Sequence, residues 1–395
     1  VRIGVATTSY PRRPGDPSGS FVRALCLELV QRGHTCEVLA PDDPAWEASP
    51  DAGITVARVP TRVPGAPPMF YAAGAPDNVR RDPRALACGA RFVPMLTFAM
   101  ADRARGWDAV LSHWALPCAL AARAAFGAER HVAVWHSADV QLANRLFGRA
   151  AWPMLRGLAR EHVFVAAHLR ERLGAAEDPR AHVIPMGIAR RDRPAARPEA
   201  RPVRALVLAR LVPVKRVELA IAAAESAGLE LVIAGEGPER GRLERFARAS
   251  TTRFVGAVDE AARARLFAQC EIFLATSAHD LRGVTEGYPV APREALAHGL
   301  VVLATDDPVH RELARRCGGA VVLSSEAALS RTLSELARDR QRLRALARLA
   351  PESVGMDAWP CVAARFEPLL AGRAPREEEG SSATSQLDTS GLGMG

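Results

Sequence analysis

Short runs of valine, isoleucine and leucine alternate with helical patterns along nearly the whole chain, and this alternation restricts the fold more than any other feature. The runs are RIGVA at 2–6, CEVLA at 36–40, AVLS at 109–112, VAVW at 132–135 and HVFVA at 162–166, then RALVLA at 204–209, LELVIAG at 229–235, RFVG at 253–256, EIFLAT at 271–276, LVVLAT at 300–305 and AVVLS at 320–324. Buried strands separated by helix-length segments pair as parallel sheets with helices on both faces. The segment after the first strand carries Val22, Leu25, Cys26, Leu29 and Val30 at i, i+3, i+4, i+7 and i+8, one face of a helix. The two sets are divided by ARRDRPAARPEARP at 189–202, which has three prolines and no apolar periodicity and reads as a linker. The expected fold class is therefore α/β, with two doubly wound Rossmann-like domains over 1–188 and 203–355. The stretch 373–395 is polar and rich in glycine and serine, and is predicted to be disordered.

Composition narrows the partners. Of 395 residues, 48% are hydrophobic and 24% charged, which suits a globular protein with sizeable cores. The formal charge of +8 comes from arginines spread along the chain and favours anionic ligands or surfaces. Only 5% of residues are aromatic and no basic run is interleaved with them, so no nucleic-acid partner is expected. The seven cysteines are scattered, without C-x-x-C, and read as reduced core thiols, which points to the cytoplasm. The opening Val1-Arg2-Ile3-Gly4-Val5 reads as a strand rather than a leader, and no run approaches the ~18 apolar residues of a spanning helix.

In doubly wound sheets ligands sit outside the carboxyl ends of the strands, so the loops there carry the candidates. The most unusual is VLARLVPVKRVELA, 207–220, which holds Arg210 and Lys215, the one lysine of the chain. Two cations near a helix N-terminus oppose the helix dipole, and a bound diphosphate would repair this. A lysine puts a compact charge on a slim stem where an arginine would not fit, although a single lysine can also be what chance left. In TTSYPRRPGDPSGSFVRAL, Gly15 and Gly19 suit an anion-binding loop or a turn capped by Ser18 or Ser20, and match neither dinucleotide nor P-loop spacing. VWHSADVQL places His136 and Asp139 directly after a strand, and LSHWALP places His113 and Trp114 likewise. In HDLRGVTEGYPVAPREALAHGL, Pro289 and Pro292 put Glu286 in a loop and Glu294 in a first helical turn, with the N–H groups of Gly287, Tyr288 and Val290 able to cradle an anion. A first-turn glutamate also has a plain dipole explanation.

Taken in order, SHWALP, WHSAD, HVFVAAHLRERL, HVIPMGI, ARLVPVKRVE, AGEGPE, VGAV and the E-x7-E stretch EGYPVAPRE followed by ALAHGLVVLAT resemble the family 4 glycosyltransferases. The resemblance covers nearly all of 1–370 and implies the GT-B architecture, two Rossmann-like domains facing a cleft that binds a nucleotide sugar. It implies a helix over 356–372 that returns to the first domain. It implies that Arg210 and Lys215 clamp the donor diphosphate and that Glu294 holds the ribose. Glu286, with Gly287, Tyr288, Pro289 and Val290, would contact the sugar, and Gly235 would join the donor site. His136 would reach the sugar from the first domain, and the Gly15–Gly19 loop, with Asp139 nearby, would close near phosphate or acceptor. The implied activity is retaining, metal-independent transfer of a hexose to a glycan or lipid-linked acceptor, with the nucleotide diphosphate sugar as co-substrate and no cofactor. The absence of any D-x-D agrees with this. Two departures bear on donor identity: His136-Ser137-Ala138-Asp139 stands where the family has H-G-S-D, losing its glycine at Ser137, and Asp306-Asp307-Pro308 replaces a G-G.

The stretch 62–107 combines Arg80, Arg81, Arg84, Arg91, Arg103 and Arg105 with Phe92, Val93, Met95, Leu96 and Phe98. It fits a contact with the anionic inner face of a membrane, or an ordinary core helix with solvated arginines. A nucleotide-sugar epimerase on the same fold, or a non-catalytic nucleotide-sugar-binding protein, are the alternative functions.

Overall fold

A computed structural model describes residues 1–48, 51–71, 74–189, 202–248, 250–277, 287–317 and 320–372. The linker and tail expectations for 190–201 and 373–395, and Glu286, lie outside them. The first half forms a seven-stranded sheet of order β3-β2-β1-β4-β5-β6-β7. Its strands are β1 Arg2–Ala6, β2 Thr35–Pro41, β3 Ile54–Val59, β4 Ala109–His113, β5 His131–Trp135, β6 Glu161–Phe164 and β7 Ala181–Val183. The second half forms a six-stranded sheet of order β10-β9-β8-β11-β12-β13. It is built from β8 Arg204–Leu208, β9 Glu230–Ala234, β10 Thr252–Gly256, β11 Ile272–Ala275, β12 Val301–Thr305 and β13 Val321–Ser324. Every strand pair is parallel, as strands buried on both faces by crossover helices must be.

The apolar runs become these strands because β4, β5, β11 and β12 are buried along their whole length. Two strands, β3 and β7, were not expected from the sequence. All seven cysteines are free thiols and six are buried. In each sheet the chain reverses direction of winding once, between β1 and β4 and between β8 and β11. Such switch points leave a crevice at the carboxyl ends of the two strands.

Three features tie the halves together. The helix Trp359–Leu370 lies on the first half, with Glu367 bonded to Arg32 at 2.6 Å and to His34 at 3.0 Å and Arg365 donating to the Val183 carbonyl at 2.6 Å. Ile188, at the end of the first half, bridges in parallel to Ala358. Buried Glu312, on the helix Pro308–Cys317, accepts from the Ala167 N–H at 2.7 Å and from His168 Nδ1 at 2.8 Å, capping the helix Ala167–Arg172 of the other half.

The helix Leu86–Arg103 corrects two expectations. With its flanking turns, Pro83–Gly106 is long and apolar enough to cross a membrane by length and composition, with a mean hydropathy of 1.2. It nevertheless buries Phe92, Leu96 and Met100 in a core with Phe70 and Trp107, which makes it a packed helix of the first half. Phe92 and Leu96 therefore belong to the core and not to an apolar surface patch. The outward face is Leu86, Ala90, Pro94 and Phe98, one turn apart, with Phe98 73% exposed.

Candidate active site between the two sheets

The switch point of the second sheet holds the lysine. After β8 the chain passes Arg210, makes a single tight turn over Pro213–Lys215, takes a left-handed conformation at Arg216 (φ 48°) and enters the helix Val217–Ala227. Thr276, directly after β11, donates its hydroxyl proton to the Lys215 carbonyl at 2.8 Å. One side chain thus fixes the lysine's backbone across the crevice. Lys215 is half-buried, and burial together with the charge of Arg210 pushes its ammonium down to about 8. A site that lowers a lysine pKa by desolvation and a like charge favours an anion, because an anion relieves both penalties.

The loop that carries Arg210 is held by the glycines of AGEGPE. Gly235 has φ 140°, and a Cβ there would stand 1.8 Å from the Ala209 carbonyl oxygen. A Cβ on Gly237 would stand 2.2 Å from the Leu211 carbonyl oxygen. Backbone bonds lace the two loops, with Leu211 N–H donating to Glu236 at 2.9 Å and Glu239 N–H to Leu211 at 3.0 Å. Gly235 therefore acts by letting two backbones meet. The Arg210 side chain is 64% exposed and reaches toward Asp77 of the first half, 3.8 Å away.

Gly287, Tyr288 and Pro289 lead into the helix Val290–Ala297. A side chain on Gly287 would begin 3.6 Å from Val165 Cγ2 and 3.9 Å from Ser137 Cβ, so this loop presses on the carboxyl ends of β5 and β6. The expectation that Glu294 stands in the first helical turn is corrected. Pro289 is the N-cap and Pro292 lies within the first turn, so Glu294 is one turn further in. It pairs with Arg263 at 3.4 Å, and burial pushes its carboxyl up against the pull of Arg263 and Arg293.

On the facing edge, His136 caps the helix Ser137–Phe147, and its N–H donates to Asp139 at 2.8 Å. It is 9% exposed rather than open at the edge, because Trp114 stacks on it at 4.7 Å and Phe21 lies 5.3 Å away. Its Nε2 meets His113 Nδ1 at 3.3 Å. Burial pushes His136 down to about 3, so it works as a neutral hydrogen-bonding ring. Gly19 is the left-handed N-cap of Ser20–Gln31, and a Cβ there would stand 2.1 Å from the Ser9 carbonyl oxygen, while Gly15 lies in open space. The loop between them is braced by Arg12, which donates to Asp16 at 2.6 Å.

Sequence reasoning missed Thr276 and His310. Buried His310 receives part of the Lys215 field and bonds the Thr305 carbonyl at 2.8 Å. A threonine closing the run EIFLAT was the one legible sign of a strand-end contact.

Comparison with known proteins places this arrangement. Residues 18–191 match Glycosyltransferase Family 4 and residues 189–352 match Glycosyl transferases group 1. A GDP-mannose-dependent alpha-mannosyltransferase of Mycobacterium tuberculosis (strain CDC 1551 / Oshkosh) is 30% identical over 390 residues, spanning 92% of this chain and 94% of the relative. The chain belongs to the family 4 glycosyltransferases. A GDP-mannose-dependent alpha-mannosyltransferase of Mycolicibacterium smegmatis is 29% identical over 411 residues, spanning 95% of this chain and all of the relative. Sucrose-phosphate synthase from Thermosynechococcus elongatus shares the fold with a TM-score of 0.68 at 17% identity, covering 93% of this chain and 98% of that one. WaaG, a glycosyltransferase involved in lipopolysaccharide biosynthesis, shares it with a TM-score of 0.61 at 14% identity, covering 94% of this chain and 100% of that one. This family 4 enzyme is thus a GT-B glycosyltransferase that acts on a nucleotide sugar.

Proposed function

We propose that the enzyme transfers mannose from GDP-mannose, with retention of configuration and without a metal, to a hydroxyl of a glycan or lipid-linked acceptor. The observation that carries the donor site is Lys215, held by Thr276 at 2.8 Å and flanked by Arg210 at the β8/β11 switch point. There the two cations and the N-terminal amides of the helix Val290–Ala297 would stabilise the departing diphosphate, and fixed charges and dipoles aimed at developing charge are the strongest means such a site has of lowering the barrier. The sugar would lie between Gly287 and the His136–Ser137 edge, where the two halves approach. Mannose, GDP and retention are supported by the relatives, both named for alpha transfer from GDP-mannose, itself an alpha-linked donor. Metal independence is supported by the paired cations and by the lack of D-x-D.

The seven free cysteines support a reducing, cytoplasmic setting. The exposed row Leu86, Ala90, Pro94 and Phe98, beside exposed Arg84, Arg91 and Arg105, supports peripheral contact with an anionic membrane where a lipid-linked acceptor would be met.

Nuclear magnetic resonance of the product made from GDP-mannose and an alkyl mannoside, with and without EDTA, tests the reaction. An alpha linkage formed equally well in EDTA is expected. A beta linkage overturns retention, and activity lost to EDTA and restored by added magnesium or manganese overturns metal independence.

A further inference from the structure

Arg293, inside the EGYPVAPRE stretch, is fully buried. Its Nε donates to the Pro289 carbonyl at 3.1 Å, which grips the loop that bears Gly287 and Tyr288. Its Nη1 donates to the Met186 carbonyl at 2.7 Å and lies 3.2 Å from Asp357 Oδ2. Asp357 also accepts from Arg316 at 2.5 Å. The Tyr288 ring sits beside both guanidiniums, with centroid distances of 4.6 Å to Arg293 and 5.4 Å to Arg316.

Met186 and Asp357 belong to the two stretches by which the chain crosses between the halves. Ile188 N–H donates to the Asp357 carbonyl at 2.9 Å, and Trp359 N–H to Ile188 at 3.3 Å. Gly187 makes this crossing tight, since a Cβ there would stand 2.3 Å from the Trp359 ring. An ion pair placed in such a dry location is costly unless every partner is well set, so packing alone gives little reason for an arginine here. The cluster is also incompletely satisfied: Arg293 Nη2 and the Tyr288 hydroxyl are buried without a hydrogen-bond partner among the described residues. A packed network with unmet donors has reason to prefer a second arrangement once the loop shifts.

We propose that Arg293 is a positioning residue that couples the Gly287–Val290 loop to the paired crossing segments at 186–188 and 357–359, so that occupation of the donor site is transmitted to the hinge between the halves. This deepens the donor-site reading and rests on it. Among the described residues the hydrogen bonds of Arg293 go to Pro289, Met186 and Asp357 and not to the Arg210–Lys215 clamp, so it sets where the loop stands rather than how tightly the diphosphate binds.

The test uses the full chain with Arg293→Met, which fills the same space and leaves Asp357 paired with Arg316, and with Arg316→Gln, whose side chain is 33% exposed and tolerates change better. Hydrogen exchange is followed by mass spectrometry with GDP as probe, and with UDP and ADP as second probes. In the wild type, nucleotide should slow exchange at 287–297 and also at 184–188 and 355–359. In both variants nucleotide affinity should stay within about threefold, since neither substitution removes a group of the Arg210–Lys215 clamp. Protection at 287–297 should remain while the response at the crossing segments is lost, and GDP-mannose turnover should fall roughly 2- to 30-fold at unchanged donor KM. A folded variant of either kind that still transmits protection to the crossing segments overturns the coupling alone. If Arg293→Met does not fold, Arg316→Gln decides by the same criterion. Failure of the wild type to bind any of the three nucleotides overturns the donor reading and the coupling with it.

Discussion

The Thr276 hydroxyl and the Lys215 carbonyl meet at 2.8 Å across the point where the second sheet reverses its winding. This bond joins the loop after β8 to the loop after β11, the two walls of the crevice in which the donor diphosphate is proposed to bind. It fixes the backbone of the only lysine of the chain at the strand end.

The lowered lysine pKa gives the donor site a pH signature. In the free enzyme Lys215 titrates near about 8, and a bound diphosphate raises that value by its negative charge. Binding above pH 8 therefore takes up a proton. Nucleotide affinity should be flat on the acid side of this value and weaken by up to about tenfold per pH unit on the alkaline side. Calorimetry from pH 7 to pH 9.5 in buffers of different ionisation heat checks both the slope and the proton uptake. A flat profile would remove Lys215 from the diphosphate.

Gly235→Ala should damage the donor site from a distance. The new Cβ meets the Ala209 carbonyl at 1.8 Å and holds a backbone that side chains avoid. The strain alone costs about 1–3 kcal/mol, and its relief moves the loop that bears Arg210. Thermal unfolding should show the destabilisation, and nucleotide affinity should fall. Wild-type affinity in this variant would mean that the two loops are not mechanically linked.

Glu312 makes the halves interdependent. Burial pushes its carboxyl up, but hydrogen bonds from His168 and the Ala167 amide outweigh this and hold it below the usual glutamate range. Because its folded-state pKa is depressed, its contribution is present above the unfolded pKa and is lost as pH falls through the folded one. Glu312→Gln should therefore lose about 1–3 kcal/mol near neutral pH, with the two proteins converging in acid. Denaturant titrations at several pH values measure this, and a constant difference at all pH values would contradict it.

The outward face of Leu86–Arg103 predicts a salt-sensitive attraction to anionic vesicles. Phe98 is 73% exposed, and Phe98→Asp should weaken sedimentation with such vesicles by about tenfold or more. Equal binding by both proteins, or none by the wild type at low salt, would leave the helix as a solvated outer surface.

Much of this was legible in the sequence because buried parallel strands are short continuous apolar runs, and runs of that kind are hard to mistake in series. The strand Ile54–Val59 escaped because its inner positions are only half-buried at the sheet edge, and Ala181–Val183 because three residues carry no pattern. Lys215 and Gly19 stood out because charge and glycine at strand ends have a local physical meaning, whereas Gly235 came only with the family resemblance. Thr276, His310 and the Arg293–Asp357 pair did not. Arg293 and Asp357 lie 64 positions apart, and nothing local tells that an arginine in a loop-to-helix turn will be buried against a distant carboxylate. His136 was correctly placed after a strand, but the aromatic cover from Trp114 and Phe21 comes from other elements.

The most direct measurement is calorimetric titration of GDP, UDP and ADP into the wild type and into Lys215→Met, with and without EDTA. The account predicts that the wild type binds GDP best, equally well with EDTA, and that Lys215→Met stays folded and loses most of that affinity. Wild-type GDP affinity in folded Lys215→Met would contradict the account at its centre.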